Sequence, residues 1–383
     1  MTPAARVAAA IGCLDQILAG ASLDAALTSW GRASRYAGSG DRHAVRDLVF
    51  DGWRCRRSYA AYGGGDTGRG IMLGAIRAAG GDVAALFTGL GHAPAALGPD
   101  DAGTDPEGNA ALDCPDWLAP QLQASLGADF APVLRALRNR APVFLRVNTA
   151  KADVAHATAV LLSDGIQTRP HALSKTALEV IVNQRKIHDS AAYLTGLVDL
   201  QDASSQAVVD ALPLRDGLRV LDYCAGGGGK TLAMAARAKI TLFAHDATPA
   251  RMRDLPARAA RAGATVTITE TIAKTAPYDL ILTDVPCSGS GSWRRDPAGK
   301  WALTAAKLAG LCTLQAQILH DAAALVAPGG VLAYATCSLL DAENSDQITA
   351  FVARNPGWSA GLQRRFTPLG GGDGFFVALL TRV

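Results

Sequence analysis

The chain has 383 residues, 49% of them hydrophobic and 19% charged, a balance that supports two or three packed domains and excludes a disordered polymer. The net charge of +3 permits contact with a polyanion without demanding it. Seven cysteines form no C-x-x-C pair, so neither a zinc site nor a disulfide framework is indicated and a reducing cytoplasm is expected.

Near the start, Val7, Ile11, Leu14, Ile17 and Leu18, then Leu23, Ala26 and Leu27, fall at helical spacing. Residues 7–14 are apolar but stop at Asp15, too short a run to span a membrane, and no membrane partner is expected. A second helix is predicted over 42–59, before Gly63, Gly64 and Gly65 break the chain, and a short helical stretch reaches about residue 90. The first 70 residues carry nine arginines (Arg6, Arg32, Arg35, Arg42, Arg46, Arg54, Arg56, Arg57 and Arg69) against six aspartates and no glutamate. Arginine suits phosphates and stacked bases, and a solvated helix surface explains the pattern equally well.

Residues 92–114, rich in Pro, Gly, Asp and Ala, read as a linker. Beyond them, a helix over 118–137, a strand over 143–148, a helix over 153–164 and a strand over 177–182 describe a small α+β module. After Gly217, apolar strands at 218–224, 240–245, 280–284 and 331–335 alternate with helices and predict an α/β, doubly wound, mostly parallel sheet of Rossmann-like type. The expected domains are residues 1–110, all helical with a linker; 111–206, α+β; and 207–383, the α/β domain.

In open α/β sheets a ligand binds at the carboxyl ends of the strands, where glycines let the backbone approach it. The first such strand runs into Cys224, Ala225, Gly226, Gly227, Gly228, Gly229 and Lys230, and Asp246 closes the next strand 22 residues after Cys224. That spacing suits recognition of a ribose hydroxyl. Gly229-Lys230-Thr231 ends like a phosphate-binding P-loop, but Cys224 stands where that motif requires glycine, which sets nucleotide hydrolysis aside.

Two more strand ends carry cysteine: Asp284-Val285-Pro286-Cys287-Ser288-Gly289 and Ala335-Thr336-Cys337-Ser338. A cysteine is more often a small buried hydrophobe than a nucleophile. Placement at carboxyl strand ends beside a glycine loop reverses that expectation.

Together with the loop over 224–231, these segments resemble the RsmB/Nop/Sun RNA cytosine-5 methyltransferases. Gln201-Asp202-Ala203-Ser204-Ser205-Gln206, Leu145-Arg146-Val147-Asn148, Arg294-Arg295-Asp296-Pro297 with Lys300-Trp301, and Asp373-Gly374-Phe375-Phe376 are similar to further family segments, in family order, over about residues 114–383. The first helices, with Ala5-Arg6 and Asp41-Arg42, resemble the NusB-like RNA-binding domain of the bacterial RsmB branch.

The resemblance implies S-adenosylmethionine as cofactor, held by Cys224, Ala225, Gly226, Gly227, Gly228, Gly229, Lys230, Asp246, Arg251 and Asp284. It implies an RRM-like middle module and, as partner, structured RNA, expected to be the small-subunit 16S ribosomal RNA. Cytosine carbon 5 is too weak a nucleophile to take a methyl group until a thiolate has added to carbon 6. By resemblance Cys337 is that nucleophile, Cys287 assists release, and Asp284 hydrogen-bonds the base. A monomer is expected.

Two departures stand out. Gly226 and Gly227 replace the family's Ala-Pro, which is expected to loosen the loop and weaken cofactor binding. The acid usually offered to the adenine end has no clear counterpart, Glu270 being the nearest candidate. Two alternatives remain: a DNA cytosine-5 methyltransferase attacking with Cys287, and a catalytically silent RNA-binding ribosome assembly factor.

Overall fold

The computed structural model describes residues 1–383, which fold into two compact units: Met1–Arg140 with Trp293–Leu303, and Ala141–Ser292 with Thr304–Val383. The expected divisions at 110 and 206 differ from this one. The segment over 92–114, expected as a linker, is fastened within the first unit. Asp101 pairs with Arg69 at 2.7 Å, and Asp113 accepts from Ser58 Oγ at 2.7 Å and pairs with Arg138 at 2.9 Å. Composition there signalled irregular backbone correctly but could not show buried carboxylates anchoring it.

The first unit is helical. Thr2 caps Pro3–Leu18, its hydroxyl accepting from Ala5 N at 3.1 Å, and Ser22 caps Leu23–Ala33 in the same way. Val7, Leu14, Val45, Val49, Ile71, Met72 and Leu73 fill the core. The single helix expected over 42–59 is two, Ser39–Arg54 and Arg56–Gly63, joined at Cys55. Likewise the helix expected over 118–137 breaks at Gly127, with φ +55°, into Ala119–Leu126 and Phe130–Leu137.

The second unit contains two sheets. The smaller uses β1 (Phe144–Val147), β2 (Gln167–Pro170), β3 (Ala177–Val182) and β4 (Val198–Leu200), in the order β2-β3-β1-β4 with every pairing antiparallel. The larger has seven strands: β5 (Arg219–Asp222), β6 (Thr241–Ala244), β7 (Thr267–Ile268), β8 (Tyr278–Asp284), β9 (Val326–Thr336), β10 (Trp358–Phe366) and β11 (Phe375–Arg382). Its order is β10-β11-β9-β8-β5-β6-β7. The five strands from β9 to β7 are parallel, whereas β11, last in the chain, inserts antiparallel between β9 and β10.

Burial on both faces explains the uninterrupted apolar strands. Leu221, Ile281, Leu332 and Tyr334 enter one core, while Val220, Leu280, Leu282, Ala333 and Ala335 enter the other. The chain leaves β5 toward β6 and β7 on one side and returns to β8 and β9 on the other. The carboxyl ends of β5 and β8 therefore flank the point where strand order reverses, the place such sheets bind ligands.

Candidate active site

The loop after β5 turns through Gly226 (φ +50°) and Gly228 (φ +80°) into the helix Gly229–Ala235. A Cβ at Gly228 would lie 2.2 Å from Leu255 Cδ1 and would sit at positive φ, so this position strongly favours glycine. At the end of β6, the buried Asp246 accepts from Gly226 N at 3.0 Å and Thr248 N at 2.9 Å, and pairs with Arg251 at 3.1 Å. Asp246 thus fixes the loop's shape.

The two family departures meet arginines. A Cβ at Gly226 would approach Arg251 Nη2 to 3.3 Å, and one at Gly227 would approach Arg258 Nη1 to 3.2 Å. Arg258 donates to Gly227 O and pairs with Asp199 at 2.7 Å. Guanidinium contacts restrain the loop.

Lys230, almost fully buried, reaches Asp284 Oδ2 at 2.6 Å and lies 5.0 Å above the Phe375 ring. Burial disfavours its charge, but Asp284 outweighs burial and holds the ammonium above the ordinary lysine value. Asp222, ending β5, is fully buried, and burial pushes its carboxyl up to about 7. Its Oδ2 accepts from Thr231 Oγ1 at 2.6 Å, whereas Oδ1 has no hydrogen-bond partner.

Cys287 follows β8 and Cys337 follows β9, and their sulfurs stand 3.4 Å apart. The pairing of β8 with β9 sets this juxtaposition, since Asp284 lies opposite Ala335. The hydrogen bond shared with Cys287 lowers the Cys337 thiol below its ordinary value against the opposing effects of burial and of Asp284, and Lys230 and Ser292 assist. Acceptance of that bond by Cys337, together with burial, raises Cys287. Ionisation is therefore favoured at Cys337 over Cys287.

The structure brings Cys287, Cys337, Asp284 and Lys230 into one cluster, with Asp246 and Arg251 on the neighbouring loop. Cys224 packs partly buried against a core cluster, and burial raises its thiol strongly. Glu270 is exposed beyond β7. Sequence reasoning missed Asp222, Arg258 and Glu343. Only Asp222 carried a signal, as an acid ending an apolar strand.

A family model for the 16S rRNA methyltransferases RsmB/F matches residues 209–381, and one for the ferredoxin-like domain of RsmF/B-like methyltransferases matches residues 114–188. The chain is 32% identical, over 286 residues, to the ribosomal RNA small subunit methyltransferase B of Serratia proteamaculans, and 33% identical over 286 residues to that of Salmonella arizonae.

The chain belongs to the RsmB/F methyltransferase family.

The alignments with these RsmB relatives cover 70% of this chain and 66% of each relative. Among solved structures, PH0851 superposes with a TM-score of 0.76 at 23% identity over 99% of both chains. A methyltransferase homolog from Pyrococcus horikoshii gives 0.62 at 25% identity, covering 71% of this chain and 96% of its own. NSun6 of the same organism, solved with SFG, also gives 0.62, at 17% identity over 70% and 98%. The first and last of these likenesses concern the fold alone.

S-adenosylmethionine is the methyl donor of this family. The RsmB/F site fits such a group: the loop turns through two glycines of positive φ, acids end β5 and β8 and follow β6, and Asp222 Oδ1 has no hydrogen-bond partner.

Proposed function

We propose that this RsmB/F member transfers a methyl group from S-adenosylmethionine to carbon 5 of a cytosine in small-subunit ribosomal RNA, through a covalent bond between Cys337 and the base. The observation that carries this reading is the 3.4 Å pairing of two thiols at adjacent strand ends, beside the Lys230–Asp284 ion pair. The cofactor would be held by residues 224–230, Asp246, Arg251 and Asp284, and supplies an electrophilic methyl group.

The protein's own groups carry the remaining chemistry. The Cys337 thiolate adds to carbon 6, and the electron pair of the 5,6 double bond moves toward N3, leaving carbon 5 enamine-like and able to take the methyl group. Asp284, oriented by Lys230, would hydrogen-bond the polar edge of the base. Loss of the carbon 5 proton to a base then lets the double bond re-form and expels the Cys337 sulfur.

Cys287 suits that later stage for an electrostatic reason. Its proton is held chiefly by the neighbouring Cys337 sulfur. Once that sulfur is bonded to carbon it is no longer an anion, and Cys287 becomes easier to ionise. A DNA methyltransferase attacking with Cys287 would need its thiolate at the member of the pair whose ionisation is disfavoured.

Transfer of labelled methyl from S-adenosylmethionine to small-subunit ribosomal RNA tests the assignment. Cys337→Ala is expected to abolish transfer, and Cys287→Ala to accumulate protein bound to RNA through a bond that survives denaturation. An adduct accumulating in Cys337→Ala would invert the roles, and calorimetry showing no binding of S-adenosylmethionine would favour a silent assembly factor.

A further inference from the structure

Behind the two thiols lies a carboxyl group with no part in the chemistry described above. Glu343, 0% exposed, sits in a short turn after β9. Its Oε1 accepts from Ser288 N at 2.8 Å and Gln315 Nε2 at 3.0 Å, and its Oε2 from the hydroxyls of Ser288 and Ser338, each at 2.5 Å.

Ser288 follows Cys287 and Ser338 follows Cys337. Gln315 also donates to Pro286 O at 2.9 Å, on the other side of Cys287, and Tyr334 OH donates to Glu343 O at 2.6 Å. A single side chain therefore grips both cysteine loops.

All four donors to the carboxyl group are neutral, and two are N–H groups that can only donate, a set suited to a carboxylate anion. Burying such a charge without a cationic partner is costly. Glutamine would replace one accepting oxygen by a donor, so the site is built for the carboxylate. The negative group opposes ionisation of Cys287, adding to the effect of Cys337.

We propose that Glu343 is a positioning residue for the thiol pair: its carboxylate clamps the Cys287 and Cys337 loops together, with its charge anchored chiefly on the Cys287 side. This rests on the two-cysteine reading above and adds a buried charge that acts on Cys287 beside the larger effects of Cys337 and burial.

Alkylation tests it without RNA or cofactor. The full chain is labelled with iodoacetamide from about pH 6 to about pH 9, and each cysteine peptide is quantified by mass spectrometry. Wild type is expected to label at Cys337 before Cys287. Glu343→Gln is expected to narrow that preference about tenfold, about one pKa unit, through faster labelling of Cys287.

Ser338→Ala keeps the charge and cuts one tie. It is expected to lower kcat for methyl transfer several-fold, leave the KM for S-adenosylmethionine unchanged and largely retain the labelling preference. An unchanged labelling ratio in Glu343→Gln overturns the proposal. If that variant does not fold, wild-type kcat in Ser338→Ala overturns it instead. A wild-type chain that labels as expected yet methylates no RNA would sink the catalytic reading and leave the clamp standing.

Discussion

Asp222 stands in an environment far from what its type prefers, a carboxyl in the core with one oxygen unpartnered. Its folded pKa, about 7, lies above the ordinary value near 4 that the unfolded chain would show. The folded state therefore binds the proton more tightly, so Asp222 favours folding below about pH 4 and this contribution is lost as pH rises through about 7. Thermal unfolding followed across that window is expected to show a steeper decline for wild type than for Asp222→Asn; parallel curves would contradict the assignment. Lys230 acts in the opposite sense on its neighbour, lowering the Cys337 thiol. Lys230→Met is expected to shift the pH profile of Cys337 alkylation upward. Both cysteines were legible as candidates because each follows an apolar strand, and only the family resemblance singled out Cys337 as the proposed nucleophile. Glu343 was not, since Asp341-Ala342-Glu343-Asn344 reads as a solvated turn and its burial depends on contacts with Ser288 and Gln315.

At the scale of elements, the glycine loop shows how a weak local sequence is stiffened from outside. Gly226 and Gly227 alone predict a loose turn, but Arg251 and Arg258 lie against them, and Arg258 ties Gly227 O to Asp199. Arg258→Ala is expected to weaken S-adenosylmethionine binding several-fold with little change in kcat; unchanged affinity by calorimetry would show the loop to be rigid without it. Gly228→Ala combines positive φ with a clash against Leu255, and is expected to cost about 1–3 kcal/mol in denaturant unfolding. The central strands β5, β6, β8 and β9 were readable as apolar runs because both sheet faces are covered. Strands β2, β7 and β10 were not, having largely exposed residues. Neither was β11, whose place between β9 and β10 depends on pairing across the chain.

Across the whole molecule, the α/β character of the catalytic region was clear from periodicity, whereas the division into units was not. Residues 293–303 fold with the helical unit: Lys300 donates to Arg54 O at 2.8 Å and Trp301 Nε1 to Trp53 O at 2.7 Å, contacts no local pattern reveals. The arginine excess near the start also resolves only in three dimensions. Arg6, Arg54, Arg56, Arg57 and Arg69 pair with aspartates. Arg32, Arg42 and Arg46 instead line a concavity of about 390 Å³ beside Trp30. If that unit touches RNA, Arg32→Glu with Arg46→Glu is expected to weaken binding and flatten its dependence on salt, each lost phosphate contact removing about 0.7 from the logarithmic slope for a single strand.

Everything catalytic depends on which sulfur meets the base. RNA carrying 5-fluorocytosine arrests the reaction after methyl transfer, because the fluorine on carbon 5 cannot leave as the proton does. Incubating the full chain with such RNA and S-adenosylmethionine, then identifying the cross-linked peptide by mass spectrometry, is expected to place the base on Cys337. A base on Cys287, or no covalent product while unsubstituted RNA is methylated, would contradict the mechanism.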